Sequence, residues 1–165
     1  MAILFHQHLR YRHITFAPSD SDKYSSDAYL IWEWRNDPIT RLMSKIGNFI
    51  LFEEHQKWYE RTLKDPNKVI LMVFLNGIHA GMLRFDLLSS SSAEIRINMN
   101  PMMRGRGLGS SILIEACHYG KNQLNLLEIT AEVKTENTSS IKIFEKAGFD
   151  FQGLNDGFRI YIKNI

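Results

Sequence analysis

One cysteine in 165 residues, Cys117, leaves no partner for an internal disulfide, a pattern that fits a reducing compartment. Charge of one sign is also scarce: 20 Lys and Arg against 18 Asp and Glu give a formal +2. That imbalance, with no dense Lys/Arg run, argues against a polyanionic partner such as nucleic acid. No apolar run approaches the ~18 residues that a membrane span needs. The first thirteen residues combine a short apolar run with neither a preceding basic region nor a small-residue cleavage site, so they do not read as a signal peptide. His6, His8 and His13 match no strong ligand spacing, and no metal is expected. A membrane-free, cytoplasmic protein of one domain, residues 1–165, is the expectation.

What the chain does have is periodicity broken by clear punctuation. Residues 10–17 are rich in β-type residues and stop at Pro18, which predicts a first strand followed by a polar loop. Residues 27–34 predict a short helix, interrupted at Asn36-Asp37-Pro38 because a residue before proline is pushed out of the α region. A second helix is expected over 53–63. Strands at 69–75 and 79–87 flank the hairpin signal Asn76-Gly77, and 93–99 alternates as a third strand in this series.

After Pro101 a glycine-rich segment leads into a helix, with Leu108, Ile112, Leu113, Ala116 and Tyr119 on one face. Residues 126–133 alternate again, giving a β-loop-α-β unit and hence two parallel strands joined by a crossover. Asn137 can cap a fourth helix that Gly148 ends, and Phe151 and 158–162 supply the last strands. Together these predict an α/β fold: a mixed central sheet of about six to seven strands flanked by about four helices.

Arg104-Gly105-Arg106-Gly107-Leu108-Gly109 lies between a strand and a helix. Glycines let the backbone approach a ligand, and the first N–H groups of the helix have no internal acceptor. With the helix dipole and two arginines they suit a pyrophosphate. A Walker loop would need a lysine where Gly109-Ser110 has none, and a dinucleotide fingerprint would need glycine where Ser110 stands. A turn needed only for packing helix on strand stays open for this loop alone.

The second motif runs Asn137-Thr138-Ser139-Ser140-Ile141-Lys142-Ile143-Phe144-Glu145-Lys146-Ala147-Gly148-Phe149. The pair of motifs resembles the GNAT acyltransferases, whose signature is an R/Q-x-x-G-x-G/A loop followed by an N-x-x-S/A-I-x-x-F/Y-E-K-x-G-F helix. The resemblance covers residues 93–149 and implies the GNAT fold, N-acyl transfer and acetyl-CoA as co-substrate. It places the CoA pyrophosphate on Arg104, Gly105, Arg106, Gly107, Leu108, Gly109 and Ser110. It sets the pantetheine arm along Ile97, Asn98 and Met99 and beside Asn137, Ser140 and Phe144. Segments at 32–38, 52–60 and 81–86 look like the branch that acetylates nucleotide-linked amino sugars, close to the pseudaminic-acid pathway enzymes. The partners expected are therefore acetyl-CoA and a UDP-4-amino-4,6-dideoxy sugar, with a homodimer as the assembly. Acetylation of a protein N-terminus or a polyamine, and a non-catalytic acyl-CoA-binding module, are the competing readings.

Acyl transfer to an amine needs a base, an oxyanion site and a route for the thiolate to leave. Glu94, on the strand leading to the loop and on the face shared by Arg96 and Asn98, is the expected base, with His55 as an alternative. Backbone N–H groups near Asn98 are expected to hold the oxyanion. Phe144 stands where many GNAT enzymes carry a tyrosine acid, and Tyr161 is a substitute candidate. Trp34, Arg35, Asn36, His55 and Trp58 are expected to shape the acceptor pocket, an arginine gripping phosphate and the aromatic rings stacking on base or sugar.

Overall fold

The computed structural model describes residues 9–13 and 26–165. Seven strands form one sheet in the order β1-β2-β3-β4-β5-β7-β6. They are β1 (Leu9–His13), β2 (Lys68–Leu75), β3 (Ile78–Leu87), β4 (Ser92–Met99), β5 (Glu128–Lys134), β6 (Asp150–Asn155) and β7 (Phe158–Asn164). The helices are α1 (Asp27–Asn36), α2 (Pro38–Leu42), α3 (Phe52–Lys64), α4 (Leu108–Leu124) and α5 (Thr138–Lys146), with a 3-10 turn at Pro101–Met103. The mixed α/β reading holds. Within the expected first strand, positions 14–17 lie outside the described residues, as do the polar loop that follows, His6 and His8.

One helix was not anticipated. Pro38 does break the first helix, but it also opens α2, because proline's fixed φ suits the first helical position. Asp37 caps it, its carboxylate accepting from the Thr40 N–H at 3.0 Å. The interruption expected at Asn36-Asp37-Pro38 is thus a helix-to-helix joint.

Alternation along the strands sorts the core into two layers. Leu83, Phe85, Ala93 and Ile95 point toward α4 and α5 and pack on Ile112, Leu113 and Ala116. The opposite face carries Ile70, Met72 and Met82, which pack on Ala28, Ile31 and Trp34 of α1 and Tyr59 of α3. Arg12 of β1 grips Asp27, in the first turn of α1, through two bonds of 2.7 Å.

Strands β4 and β5 run parallel, as the crossover required, but the pairing covers only Ser92↔Glu128, Ala93↔Ile129 and Glu94↔Thr130. Beyond that point β4 stays paired to β3 as far as Met99↔Gly81, while β5 continues against β7. The two strands therefore separate, and among the described residues none forms a strand beside 95–99 on that side.

Gly81 permits the approach of β3 to β4 at the open end. A Cβ there would lie 2.7 Å from the Asn98 carbonyl oxygen and 3.1 Å from Met99 Cα, both backbone atoms. Gly81→Ala is expected to force the strands apart and destabilise the fold by about 1–3 kcal/mol, the usual range for overpacking. Urea unfolding of the two proteins measures it, and equal midpoints would show that the strands part freely.

Candidate active site

The gap between β4 and β5 opens into a cavity of about 760 Å³. Its floor is the free end of β4, with Ile97, Asn98 and Met99. On one side lie the loop and first turn of α4, with Arg104, Gly105, Gly107, Leu108, Gly109 and Ser110, and the cap and outer face of α5, with Asn137, Ser140, Lys142 and Lys146. On the other side stand Arg35 of α1, Thr40 of α2, His55 and Trp58 of α3, and Arg84 and Arg96 from the sheet.

Gly107 is the N-cap residue of α4 and sits at φ 72°, in the left-handed region that a side chain resists. It makes no side-chain cap bond, so the first N–H groups of α4 are left for a ligand at the cavity wall. Asn137 caps α5, its Oδ1 accepting from the Ser140 N–H at 3.1 Å. Two helix N-termini thus meet at the same cavity, which suits a diphosphate.

Arg104 is held across the cavity. Its Nη1 donates to Asp37 Oδ2 at 2.7 Å and its Nη2 to Thr40 Oγ1 at 2.5 Å, tying the glycine loop to α2. Burial works against the Asp37 carboxylate, but the Thr40 N–H and Arg104 outweigh it and hold its carboxyl below the usual carboxylate range. Thr40 Oγ1 also lies 3.5 Å from Asn98 Oδ1, while Asn98 Nδ2 is buried without a partner. The sequence suggested only backbone donors near Asn98; an unpartnered side-chain amide at the cavity floor is a second donor.

Several expected residues sit elsewhere. Trp34 is 3% exposed in the core between α1 and the sheet, because Ile31 and Arg35, one turn apart, are the α1 residues that reach the cavity. Asn36 instead pins the chain before α3, donating to the Ile50 carbonyl and accepting from its N–H, both at 2.9 Å. Phe144 faces the sheet and packs edge-on against Phe149 at 5.0 Å, away from the cavity. Arg106 is exposed and does not line the cavity.

Glu94 is not among the cavity-lining residues either. Its carboxylate accepts from Arg96 Nη2 at 2.8 Å, at the last point where β4 still touches β5. Tyr161 is fully buried behind α5, where its hydroxyl donates to Glu145 at 3.0 Å and accepts from Arg159 at 2.9 Å. That leaves it remote from a departing thiolate. Burial pushes the Cys117 thiol up to about 11, so it stays protonated at neutral pH.

Arg84 and Arg96, which the sequence reading passed over, complete a cationic wall with Arg35. Arg84 donates to Asp86 at 2.8 Å, and its Nε is buried without a partner. Burial, then the charges of Arg84 and Arg96, lower the proton affinity of Arg35. Register places the pair Arg84↔Arg96 directly across the strands. Both are engaged by carboxylates, Arg84 by Asp86 and Arg96 by Glu94, and only the pairing of the two neighbouring strands brings them together.

Residues 19–150 match the family model described as the acetyltransferase (GNAT) domain. The chain belongs to the GNAT acetyltransferase family. It is an acetyl-CoA-dependent N-acyltransferase. Among curated relatives, acetyltransferase PseH of Campylobacter jejuni (strain 81-176) is 26% identical over 76% of this chain and 78% of its own. The crystal structure of Campylobacter jejuni PseH in complex with acetyl coenzyme A superimposes with a TM-score of 0.73, at 20% identity over 94% of this chain and 98% of that one. Spermidine N-acetyltransferase from Vibrio cholerae, in complex with CoA and spermine, gives a TM-score of 0.79 at 19% identity, covering 96% of each chain. No helix among the described residues is long and apolar enough to cross a membrane.

Acetyl-CoA at about a hundred times its Kd is expected to add about 2.7 kcal/mol to the stability of the fold, read as a rise in Tm. Gly107→Val should cut affinity more than Arg104→Ala. A β-carbon in the left-handed region costs about 1–2 kcal/mol, roughly tenfold in Kd, and it disturbs the backbone donors directly. Calorimetric titration of both folded variants ranks them, and unchanged binding by Gly107→Val would refute the role of the loop.

Proposed function

We propose that this acyltransferase acetylates the amine of a nucleotide-linked amino sugar, of the UDP-4-amino-4,6-dideoxy type. The observation that carries the reading is the charge of the cavity wall. Among the described residues, its charged lining side chains are Arg35, Arg84, Arg96, Arg104, Lys142 and Lys146 against Glu54 alone. Arg104, Lys142 and Lys146 stand on the CoA side. Arg35, Arg84 and Arg96 remain on the acceptor side, where the face of Trp58 lies 6.0 Å from the Arg84 guanidinium.

An acceptor carrying a diphosphate and an aromatic base would answer both features, the phosphates by paired N–H donors and the base by stacking. A polyamine carries several positive charges and would need a wall of carboxylates. Asp86 and Glu94, which could have supplied it, are turned to the arginines and do not line the cavity. The similarity to PseH, whose sequence matches most of this chain, supports the same choice over the spermidine enzyme, whose similarity is one of fold.

In this reading the amine attacks the acetyl carbonyl directly, while all three components share the cavity. Asn98, at its floor, donates to the developing oxyanion through Nδ2 or the neighbouring backbone. Release of CoA thiol, followed across UDP- and dTDP-amino sugars, N-terminal peptides, spermidine and spermine, tests the acceptor class. A nucleotide amino sugar should give the highest kcat/KM. Arg35→Ala should raise its KM about tenfold to a hundredfold, the loss of one charge-assisted hydrogen bond of about 1.5–3 kcal/mol. Preferred turnover of spermidine, with Arg35→Ala improving it, would reverse the assignment.

A further inference from the structure

We propose that the imidazole of His55 takes the proton from the acceptor's ammonium group, with Nε2 as the receiving atom. This rests on the proposed transfer to an amine and not on which molecule carries that amine.

His55 is 3% exposed and lines the cavity. Its Nε2 is buried with no hydrogen-bond partner. The ring also makes a hydrogen bond to the backbone of Ala28, and since Nε2 is the unpartnered nitrogen, Nδ1 makes it. A carbonyl can only accept, so Nδ1 carries the hydrogen and Nε2 keeps its lone pair. Native proteins seldom leave a buried acceptor unpaired, and this one belongs to a cavity-lining side chain, where the occupant's ammonium is the partner it lacks. Phe52, Trp58 and Tyr59 surround the ring with centroids at 6.5, 5.2 and 6.2 Å, which fixes its plane.

The charged residues lining the cavity around it are Arg35 from α1, Arg84 from β3, Arg96 from β4 and Glu54 beside it on α3. Burial, opposed by the Ala28 bond and assisted by Arg35, lowers the imidazole to about 4, so it is neutral at physiological pH. An anion on Arg35 would offset that positive charge and raise the proton affinity of His55 when the acceptor is in place. Neither carboxylate nearby competes for the role. Glu94 is bound to Arg96 off the cavity, and Glu54 is exposed to water.

The step balances without a further reactant. One ammonium proton passes to Nε2 and later to solvent. The freed nitrogen lone pair forms the C–N bond, and the C–S bond breaks as the tetrahedral intermediate collapses. The second proton leaves nitrogen and ends on the CoA sulfur, giving amide, CoA thiol and one released proton.

The test uses the full chain and whichever amine the wild type acetylates fastest. His55→Gln should bind acetyl-CoA normally by calorimetry, keep KM for the acceptor within a few-fold and lose about 10²–10⁴-fold in kcat, as expected for a lost base. Free imidazole should restore part of the rate to His55→Ala. Nitrogen-15 NMR of the wild type, which needs no turnover, should show Nε2 unprotonated at neutral pH and its titration moved upward by added UDP. Retention of kcat within about threefold in His55→Gln would overturn the inference, and so would an Nε2-protonated tautomer in the spectrum. If the wild type ignored nucleotide amino sugars but turned over another amine, the proposed acceptor would fail while the His55 comparison still decided its own question.

Discussion

The parallel contact between β4 and β5 lasts for three residue pairs, and the position of every functional group follows from where it ends. A sheet that continued past Glu94↔Thr130 would use both edges of residues 95–99 for its own hydrogen bonds. Because the strands part, one edge of β4 is left for a ligand chain, as an edge strand offers unpaired N–H and C=O groups to any extended partner. The same parting brings the N-terminus of α4 and the cap of α5 to one cavity, since each helix follows the strand it has just left. Short pairing costs backbone hydrogen bonds, and the two apolar layers on either face of the sheet supply the stability that permits it.

A second constraint joins the two halves of the site. Arg104 leaves the glycine loop to meet Asp37 and Thr40, and Thr40 in turn lies beside Asn98. The cofactor loop, the joint between α1 and α2 and the cavity floor therefore form one polar chain. Pro38 has a part here, because by starting α2 it places Asp37 in the cap position, with its carboxylate aimed at both the helix N–H and the guanidinium. An arginine expected to contact pyrophosphate thus also holds Thr40 of α2, on the opposite side of the cavity. Displacing it would alter both binding events, whereas altering Gly107 acts on the cofactor end.

The element order was readable in the chain because apolar alternation and helical spacing report directly on burial, and the glycine loop with the Asn137 cap reports on backbone donors. The Lys134 end of β5 and the first turn of α5 could be placed to within a residue or two for that reason. What escaped was orientation. Trp34 and Arg35 are neighbours in sequence, yet about 100° of helix turn sends one into the core and the other to the cavity. Glu94, Arg96 and Asn98 do share a face, as alternation required, but along that face Glu94 lies where the strands are still joined and Asn98 where they have parted. Periodicity gives the face and not the position of the opening. Arg84 acquires meaning only beside Arg96, a pairing fixed by the register of a hairpin whose loop length no local signal specifies.

One wall of the cavity is built against the stability of the fold. Arg35 is drawn out of water near two other guanidinium groups, His55 is held neutral with a nitrogen unpaired, and the Nε of Arg84 and the Nδ2 of Asn98 are buried without partners. Each is unfavourable by itself, since a buried polar group without a partner costs about 1–3 kcal/mol. Arg35, His55, Arg84 and Asn98 all line one cavity, and the proposed acceptor would complement them with negative charge for the arginines, a proton donor for His55 and an acceptor for Asn98. Such sites concentrate where strain is relieved by a ligand, and the relief becomes binding energy and orientation. A polyamine would relieve the imidazole but aggravate the guanidinium groups, whereas an anion without an amine would do the reverse. An anionic group carried by the same molecule as a protonated amine would meet the guanidinium groups and the imidazole together, and in this sense the charge distribution supports the acceptor proposed above.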